Sequence, residues 1–463
     1  MLVLLGELIG HSLSAGWVAS RLEERSERVV SATLASVDVS LLRRALRVRE
    51  AELVLDDSTR VSLRALDVAG VPIWNLLNGG RDVPRHAVVE SVVVRRGDYE
   101  IAARHAEFDR GAETGALSGF ALRPMPGARE RLRPGTPTSY TMGIDRLEVA
   151  GLQILLAKTQ PASPQTRAIS AQTRPASPQT PAISAQTRPA SPQTQAISAQ
   201  TRYASPQTRA ISAQTRPISD DDGVRASEVR VHGWTVSVYS DRRLAGPPQP
   251  VVLPHQMFRE MDLPVHVDRV EMADGTVVYE EVPPDGDRAG RVEFGGLKGT
   301  LGPLDNRASD TLRVEAYTRI NRGLPLGLEI AWPLASDSLE MSARAWTSAF
   351  LASVLNEMFE PNAGIRILGG NVDTLVTRFS VRSGSATGTL SATYDSLEVE
   401  AVDKRDTDDE KLLLSLLFDA KLDDRHLLGE SVGEVQHDRA ATETLFTFLW
   451  FTVRSGLMSL IGA

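Results

Sequence analysis

Apolar and polar residues alternate with a period of two along most of this chain, the pattern of strands with one greasy and one wet face. Such stretches occur at residues 33–39, 46–55 and 61–68, where Val61, Leu63 and Ala65 are separated by polar partners. Further strands are expected at 87–94, 98–105 and 115–122, with a strand pair folding about Gly151 within 144–157. The pattern resumes at Val224, through Val229 and Val231, then from Trp234 to Tyr239.

The densest run lies between Val265 and Leu304. Val265 and Val267 lead to Val270 and Met272, and Asp274-Gly275 offers the positive φ of a two-residue hairpin turn. Thr276 to Val282 then reads as the returning strand, followed by Val292 and Phe294 and, across three glycines, Leu297 and Leu301. Residues 311–320 and 324–332 form another expected strand pair, and Gly369-Gly370 a hairpin between 365–367 and 371–379. Strands at 384–390, 391–394 and 397–402 precede an acidic turn, 403–410, and KLLLSLLF at 411–418, a buried strand or short helix.

Helical spacing is confined to short pieces. Residues 17–28 form an expected first helix, Val71 to Leu77 a turn burying Trp74 and Leu77, and 348–359 a helix ending before Pro361. Residues 123–138 are a loop and 248–261 a loop or short helix. The last segment, 442–463, carries one charge after Leu445, Arg454. It suits an interfacial or end-capping helix touching a membrane through Phe446, Phe448, Trp450, Phe451 and Leu457, or equally a core helix plugging the end of the sheet.

A tandem repeat interrupts the strands. Four consecutive copies of a fourteen-residue unit (TRPASPQTPAISAQ and variants) run from Thr159 to Gln214. One Ile per copy and recurrent Pro leave no apolar seam to bury, so the tract reads as a disordered linker. The expected divisions are 1–28, a helix or truncated membrane anchor; 29–157, an N-terminal β portion; 158–222, the linker; 223–430, a second β portion; and 431–463, the hydrophobic helix.

Composition narrows the function. Aromatic residues are only 5% of the chain, beside 35 Gly and 26 Pro, which suits an extended sheet better than a compact enzyme. Net charge is −8, and the stretch from Lys158 to Ser219 holds seven basic residues and no acidic ones, leaving about −15 on the rest. Nucleic acid, which needs a basic face, is an unsuitable partner. With no cysteine there is no disulfide or thiolate chemistry. The start, MLVLLGELIGHSLSAGWVASRL, is broken by Glu7 and His11 and lacks the basic opening of a signal peptide.

Catalytic patterns are missing. There is no HExxH, Walker A or GxSxG motif, and the eight histidines show no ligand spacing. Gly295 to Thr300 has the wrong spacing for a phosphate loop, and Glu280 and Glu281, adjacent on a strand, point to opposite faces. His437-Asp438-Arg439 reads better as a cap or interface than as an acid/base cluster.

A sheet with one apolar face and no matching set of helices must close, stack or curl around something greasy. At about 3.3 Å per residue, six residues would make a trough wall near 20 Å, comparable to a lipid tail.

The segment xDGxVxYEE, spacer, GxVxFxxLxGTLxxL resembles AsmA-like envelope proteins, relatives of AsmA, TamB and the bacterial repeating β-groove proteins. It is carried here by Asp274, Gly275, Val277, Tyr279, Glu280, Glu281, Gly290, Val292, Phe294, Leu297, Gly299, Thr300 and Leu301. The likeness continues through Gly388–Glu400 and Gly433–Gly462 and covers most of 224–463, with a fainter trace over 29–157. It implies a mainly β fold, an elongated, curved antiparallel sheet of the β-groove or taco type with a few short helices and a hydrophobic C-terminal helix. It further implies a bacterial cell-envelope, periplasmic location with membrane contact at one or both ends. The implied task is phospholipid transport between membranes or outer-membrane assembly, with phospholipid or another acyl-chain lipid and envelope proteins as partners, and with neither catalysis nor cofactor. Val277, Tyr279, Val292 and Phe294 are the expected groove-lining residues. The rivals are an interaction protein that binds partners and no lipid, and a β-rich hydrolase with a site assembled from distant residues.

Overall fold

The computed structural model describes residues 15–25, 29–40, 43–55, 58–70, 83–128, 132, 138–155, 223–244, 246, 250–307, 310–402 and 431–461. Expectations for the first fourteen residues, the Trp74 turn, the repeat, the acidic turn at 403–410 and the segment 411–418 lie outside these residues. Among these residues the chain is mainly β, a single large, curved, unclosed mixed sheet of nineteen strands with four short helices.

The first half is an antiparallel meander: β1 (Val29–Ser40), β2 (Ala45–Leu55), β3 (Arg60–Ala69), β4 (His86–Arg96), β5 (Tyr99–Asp109), β6 (Thr114–Pro124) and β7 (Thr138–Ala150), each paired with the next. After the repeat, β9 (Gly223–Asp241) pairs antiparallel with β7, so strands from either side of the repeat share one sheet. The short β8 (Gln153–Leu155) lies on the same edge of β9. Gly151 is thus a break in one line of pairing, not the turn of a hairpin, because β7 and β8 pair with β9 and not with each other.

β10 (Val265–Val282) joins β9 in parallel, the exception in an otherwise antiparallel sheet and the reason it is mixed. Beyond it come β11 (Gly290–Gly302), β13 (Thr311–Ile320), β14 (Leu324–Pro333), β15 (Met341–Thr347), β17 (Ile365–Arg382), β18 (Ser385–Ala401) and β19 (Ser431–Asp438). Short strands β12 (Leu304–Asp305) and β16 (Phe350–Leu351) extend pairing on β10 and β17.

Two expected hairpins are straight-through strands. Asp274 has the anticipated positive φ, 51°, but it kinks β10 without reversing it. Gly370, φ 111°, does the same in β17, and the three strands expected between 384 and 402 are the single β18. A left-handed residue turns a chain only when the following residues pair back on the preceding ones. Here neighbouring strands already occupy both edges.

One helix packs on the first strands of the sheet and the other three on its second half. α1 (Ala15–Arg25) packs Ala15 and Val18 against Leu34, Val37, Val39, Leu46 and Val48. Its Glu23 carboxylate accepts from the Ala32 N–H at 2.7 Å on β1. α2 (Pro254–Arg259) and α4 (Leu445–Ile461) cover the other end. α3 (Asn356–Ala363) follows a 3₁₀ turn and runs past Pro361, against the expected stop, to end at Gly364 with φ 62°. Its start is tied to β17 by Asn356, whose amide both donates to and accepts from the Ile367 backbone at 2.8 Å.

Candidate functional site

Pairing register turns the strand alternation into continuous apolar rows. One row passes through sixteen strands, opposite by opposite: Val39, Leu46, Val68, Ala87, Phe108, Gly115, Val149, Val229, Val270, Leu301, Val314, Ile330, Ala343, Phe379, Gly388 and Val435. At about 4.8 Å per strand its path is roughly 70 Å long. A second row runs through Leu53, Val61, Val94, Ile101, Leu122, Met142, Val236, Val277, Phe294 and Ile320.

Both rows lie on one face, and because their members are seven residues apart on each strand they share from β2 to β11, each of those strands changes phase between them. Spacing of two switches to three between Val48 and Ala51, Leu117 and Phe120, Ile144 and Leu147, Val231 and Trp234, and Phe294 and Leu297. In β2, β4, β6, β9, β10 and β11 the switch coincides with a left-handed residue: Glu50 at φ 47°, Ser91 at 53°, Gly119 at 60°, Gly233 at 60°, Asp274 at 51° and Gly296 at 60°. Register places these on one line across the sheet, and Gly233 lies directly beside Asp274 because His232 pairs with Ala273 and Thr235 with Thr276. The line is a transverse crease. It shifts the alternation of every strand it crosses from β2 to β11, returning apolar side chains to the same side.

The opposite face is charged. Arg47 pairs with Asp67, Arg230 lies 3.6 Å from Glu271, and Arg344 lies 3.5 Å from Glu329. A broad open depression of about 980 Å³ lies on this face, lined in part by Arg313, Glu315, Glu329, Arg344 and Arg378 and by no histidine. Its charges largely serve one another, and no nucleophile–base pair meets there. Among the described residues, no group of three or more His, Asp or Glu is placed to hold a metal ion.

The four groove residues expected from sequence form one cross-strand quartet, Val277 opposite Phe294 and Tyr279 opposite Val292. Val292 is buried and the other three half-buried. The quartet is not open, however, because Phe446 of α4 stacks on Tyr279. Burial and the Glu281 carboxylate, which accepts from the phenol, hold the Tyr279 proton far above its ordinary range.

Residues expected to touch a membrane instead meet protein. Phe448 is 0% exposed, which corrects that expectation for it outright. Trp450 lies 5.4 Å from Phe359, Phe451 stands edge-on to His437, and Leu457 packs on the core beneath α4. His437, set aside as a catalytic group, reaches Glu443 at 3.1 Å ahead of the same helix. No helix among the described residues is long and apolar enough to cross a membrane.

The uncovered stretch of the apolar face lies on β5 to β7. Ile101, Tyr140 and Met142 are 40%, 48% and 36% exposed. Ile101 is opposite Leu122 and Leu122 opposite Met142, so two of the three share a row. Sequence reading passed over Ile101 because it sits in an ordinary alternating strand, and over Tyr140 and Met142 because they fall between the expected loop at 123–138 and the strands expected from 144. The missed signal is the two-to-three change of spacing, repeated in strand after strand.

A scan of protein-family models finds no match to this chain, and a search of the curated proteins finds none either.

Proposed function

We propose that this chain is a non-enzymatic envelope protein that holds acyl chains against its apolar face and assists phospholipid transport between membranes or outer-membrane assembly. The observation that carries this reading is the continuity of the apolar rows, uncovered at Ile101, Tyr140 and Met142 and capped at either end by α1 and by α2 with α4. An acyl chain laid along such a row gains about 0.8 kcal/mol per buried methylene. Ten methylenes supply roughly 8 kcal/mol, enough to meet much of the cost of association.

Native mass spectrometry with lipid extraction tests it on the full chain purified in mild detergent. Stoichiometric phospholipid that survives gel filtration is the expected result, with loss of that lipid in a folded Met142→Asp protein. A folded, lipid-free wild-type chain would reject the reading.

A second reading has its own observation: α4 and α2 seal the apolar face over β13 to β19. If the remainder is sealed by a protein partner, the chain is an interaction protein of the envelope. Lipid-free protein that binds envelope proteins through β4 to β7 would favour it.

A further inference from the structure

We propose that β1 is the seam of a symmetric dimer, in which two copies of this chain pair their β1 strands antiparallel about a two-fold axis between Ala35 and Ser36. The dimer is independent of whether the apolar face carries lipid.

The two edges of the sheet are finished differently. β19 is lined by α4, whereas β2 is the one strand paired with β1 among the described residues. Edge strands are ordinarily blunted by lysine, proline or a short length. β1 has twelve residues, VVSATLASVDVS, with no lysine, no proline and one charge, Asp38. It is β-branched at Val29, Val30, Thr33, Val37 and Val39, a composition suited to a strand with neighbours on both sides.

The symmetry of the pattern names the partner. Ala32 and Val39 lie opposite Leu53 and Leu46, members of the two apolar rows, so β1 changes phase as its neighbours do. Its apolar side is Ala32, Leu34, Val37 and Val39, with the exposed Ala35 and Ser36 together at the change. Read from either end, this spacing is the same. Pairing two copies about its centre sets Leu34 against Val37 and Ala32 against Val39, all on one face. On the other face Asp38 meets Thr33 and Ser36 meets Ala35, so the lone charge does not face its own copy. Such self-complementarity is what a two-fold interface requires.

The backbone agrees. Along a strand of L-residues, the face taken by a side chain fixes the edge to which its N–H and C=O point. The Ala32 N–H points away from β2, since it donates to the Glu23 carboxylate of α1 at 2.7 Å. Leu34, Val37 and Val39 share its face and so present their N–H and C=O groups to the same edge. In the dimer, Leu34 and Val37 exchange hydrogen bonds across the seam, as do Ala32 and Val39. Glu23 holds the place that the Val39 carbonyl of the second copy would take. It therefore guards the seam and swings aside when the strands pair.

Because the chain has no cysteine, single introduced thiols report the register. Thr33 and Asp38, both exposed, would face each other across the seam as a non-hydrogen-bonded pair. Their Cα atoms would lie about 4.5 Å apart, within disulfide reach. Full-length T33C and D38C proteins, mixed and oxidised, should form a disulfide-linked heterodimer, and neither should link to itself. Self-linking of either variant, or no linking in the mixture, would overturn this register. Analytical ultracentrifugation of the wild-type chain should show a monomer–dimer equilibrium that A35K/S36K abolishes, because its lysines crowd the axis from exposed positions. A wild-type monomer at every concentration, or an undiminished A35K/S36K dimer, would overturn the seam. Glu23→Ala should tighten dimerisation by roughly tenfold, the scale of a freed hydrogen bond in each copy. Unchanged or weaker dimerisation in that variant would overturn the guarding role.

Discussion

The rings of Tyr279 on β10 and Phe446 on α4 stack with centroids 4.3 Å apart and planes inclined by 32°. The same helix lines the far edge of β19, where the N–H groups of Glu434 and Gln436 donate to the hydroxyls of Ser459 at 2.8 Å and Ser455 at 3.1 Å. β10 and β19 are seven pairings apart, roughly 34 Å along a flat sheet. One helix meets both because the second half of the sheet curls around it. α4 fills the gap that keeps this part of the sheet from closing, and it hides an edge strand that would otherwise pair with another chain.

Removing the helix's central anchor should therefore be costly. Phe448→Ala is expected to lower stability by roughly 3–5 kcal/mol, and Phe446→Ala, which loses a partly exposed stack, by about 1–2 kcal/mol. Urea unfolding monitored by tryptophan fluorescence measures both. A Phe448→Ala midpoint equal to wild type would contradict its place in the core.

The serine contacts can be tested without disturbing the apolar packing. In S455A/S459A the Glu434 and Gln436 amides lose their acceptors. Their hydrogen-exchange protection should fall, with a stability loss of about 1–3 kcal/mol for the pair. Unchanged protection at these two amides would show that something other than the serines satisfies them.

Adjacent glycines in β17 should respond very differently. Gly370 has φ 111°, and a Cβ there would lie 2.7 Å from the Leu397 Cα. At Gly369 a Cβ meets nothing within 4 Å. Gly370→Ala is expected to cost about 2 kcal/mol or more, whereas Gly369→Ala should fall within about 0.5 kcal/mol of wild type. Thermal unfolding of the two variants side by side decides it, and equal effects would argue against the kink in this strand.

Stability should also carry a pH signature from β10. The two ring nitrogens of His266 each lie 2.8 Å from a carboxylate, Nδ1 from Asp305 and Nε2 from Asp268, and these bonds raise its pKa above the ordinary histidine value. A raised folded-state pKa gives stabilisation that is complete below the unfolded value, about 6.5. It is lost as pH rises through the folded-state value. The melting-temperature gap between wild type and His266→Gln should be widest near pH 6 and narrow toward pH 9. A gap that widens with pH would mean the ring is neutral in the folded protein.

The open stretch of the apolar face gives a graded expectation for lipid. Ile101→Asp and Met142→Asp, on exposed positions, should fold normally and lose bound acyl chains. Phe294→Asp, within the quartet that α4 covers, should lose stability along with any lipid. Lipid content can be read by extraction and folding by circular dichroism. Full lipid occupancy in both exposed-site variants would move the binding surface elsewhere.

Much of the architecture was legible in the residues themselves. Alternation at Val61, Leu63 and Ala65, or at Val292 and Phe294, sets an amphipathic sheet because successive side chains of a strand point to opposite faces. Left-handed positions were legible too, since Asp274 and Gly370 carry the residue types that tolerate positive φ. Whether such a residue reverses a strand or creases it depends on which strands occupy its two edges, and those partners are remote in sequence. The parallel pairing of β9 with β10, the alignment of Gly233 beside Asp274, and the seat of Phe446 on Tyr279 were decided by the tertiary structure alone. Local chemistry determines what each residue permits, while pairing register, summed over many strands, determines which permission is used.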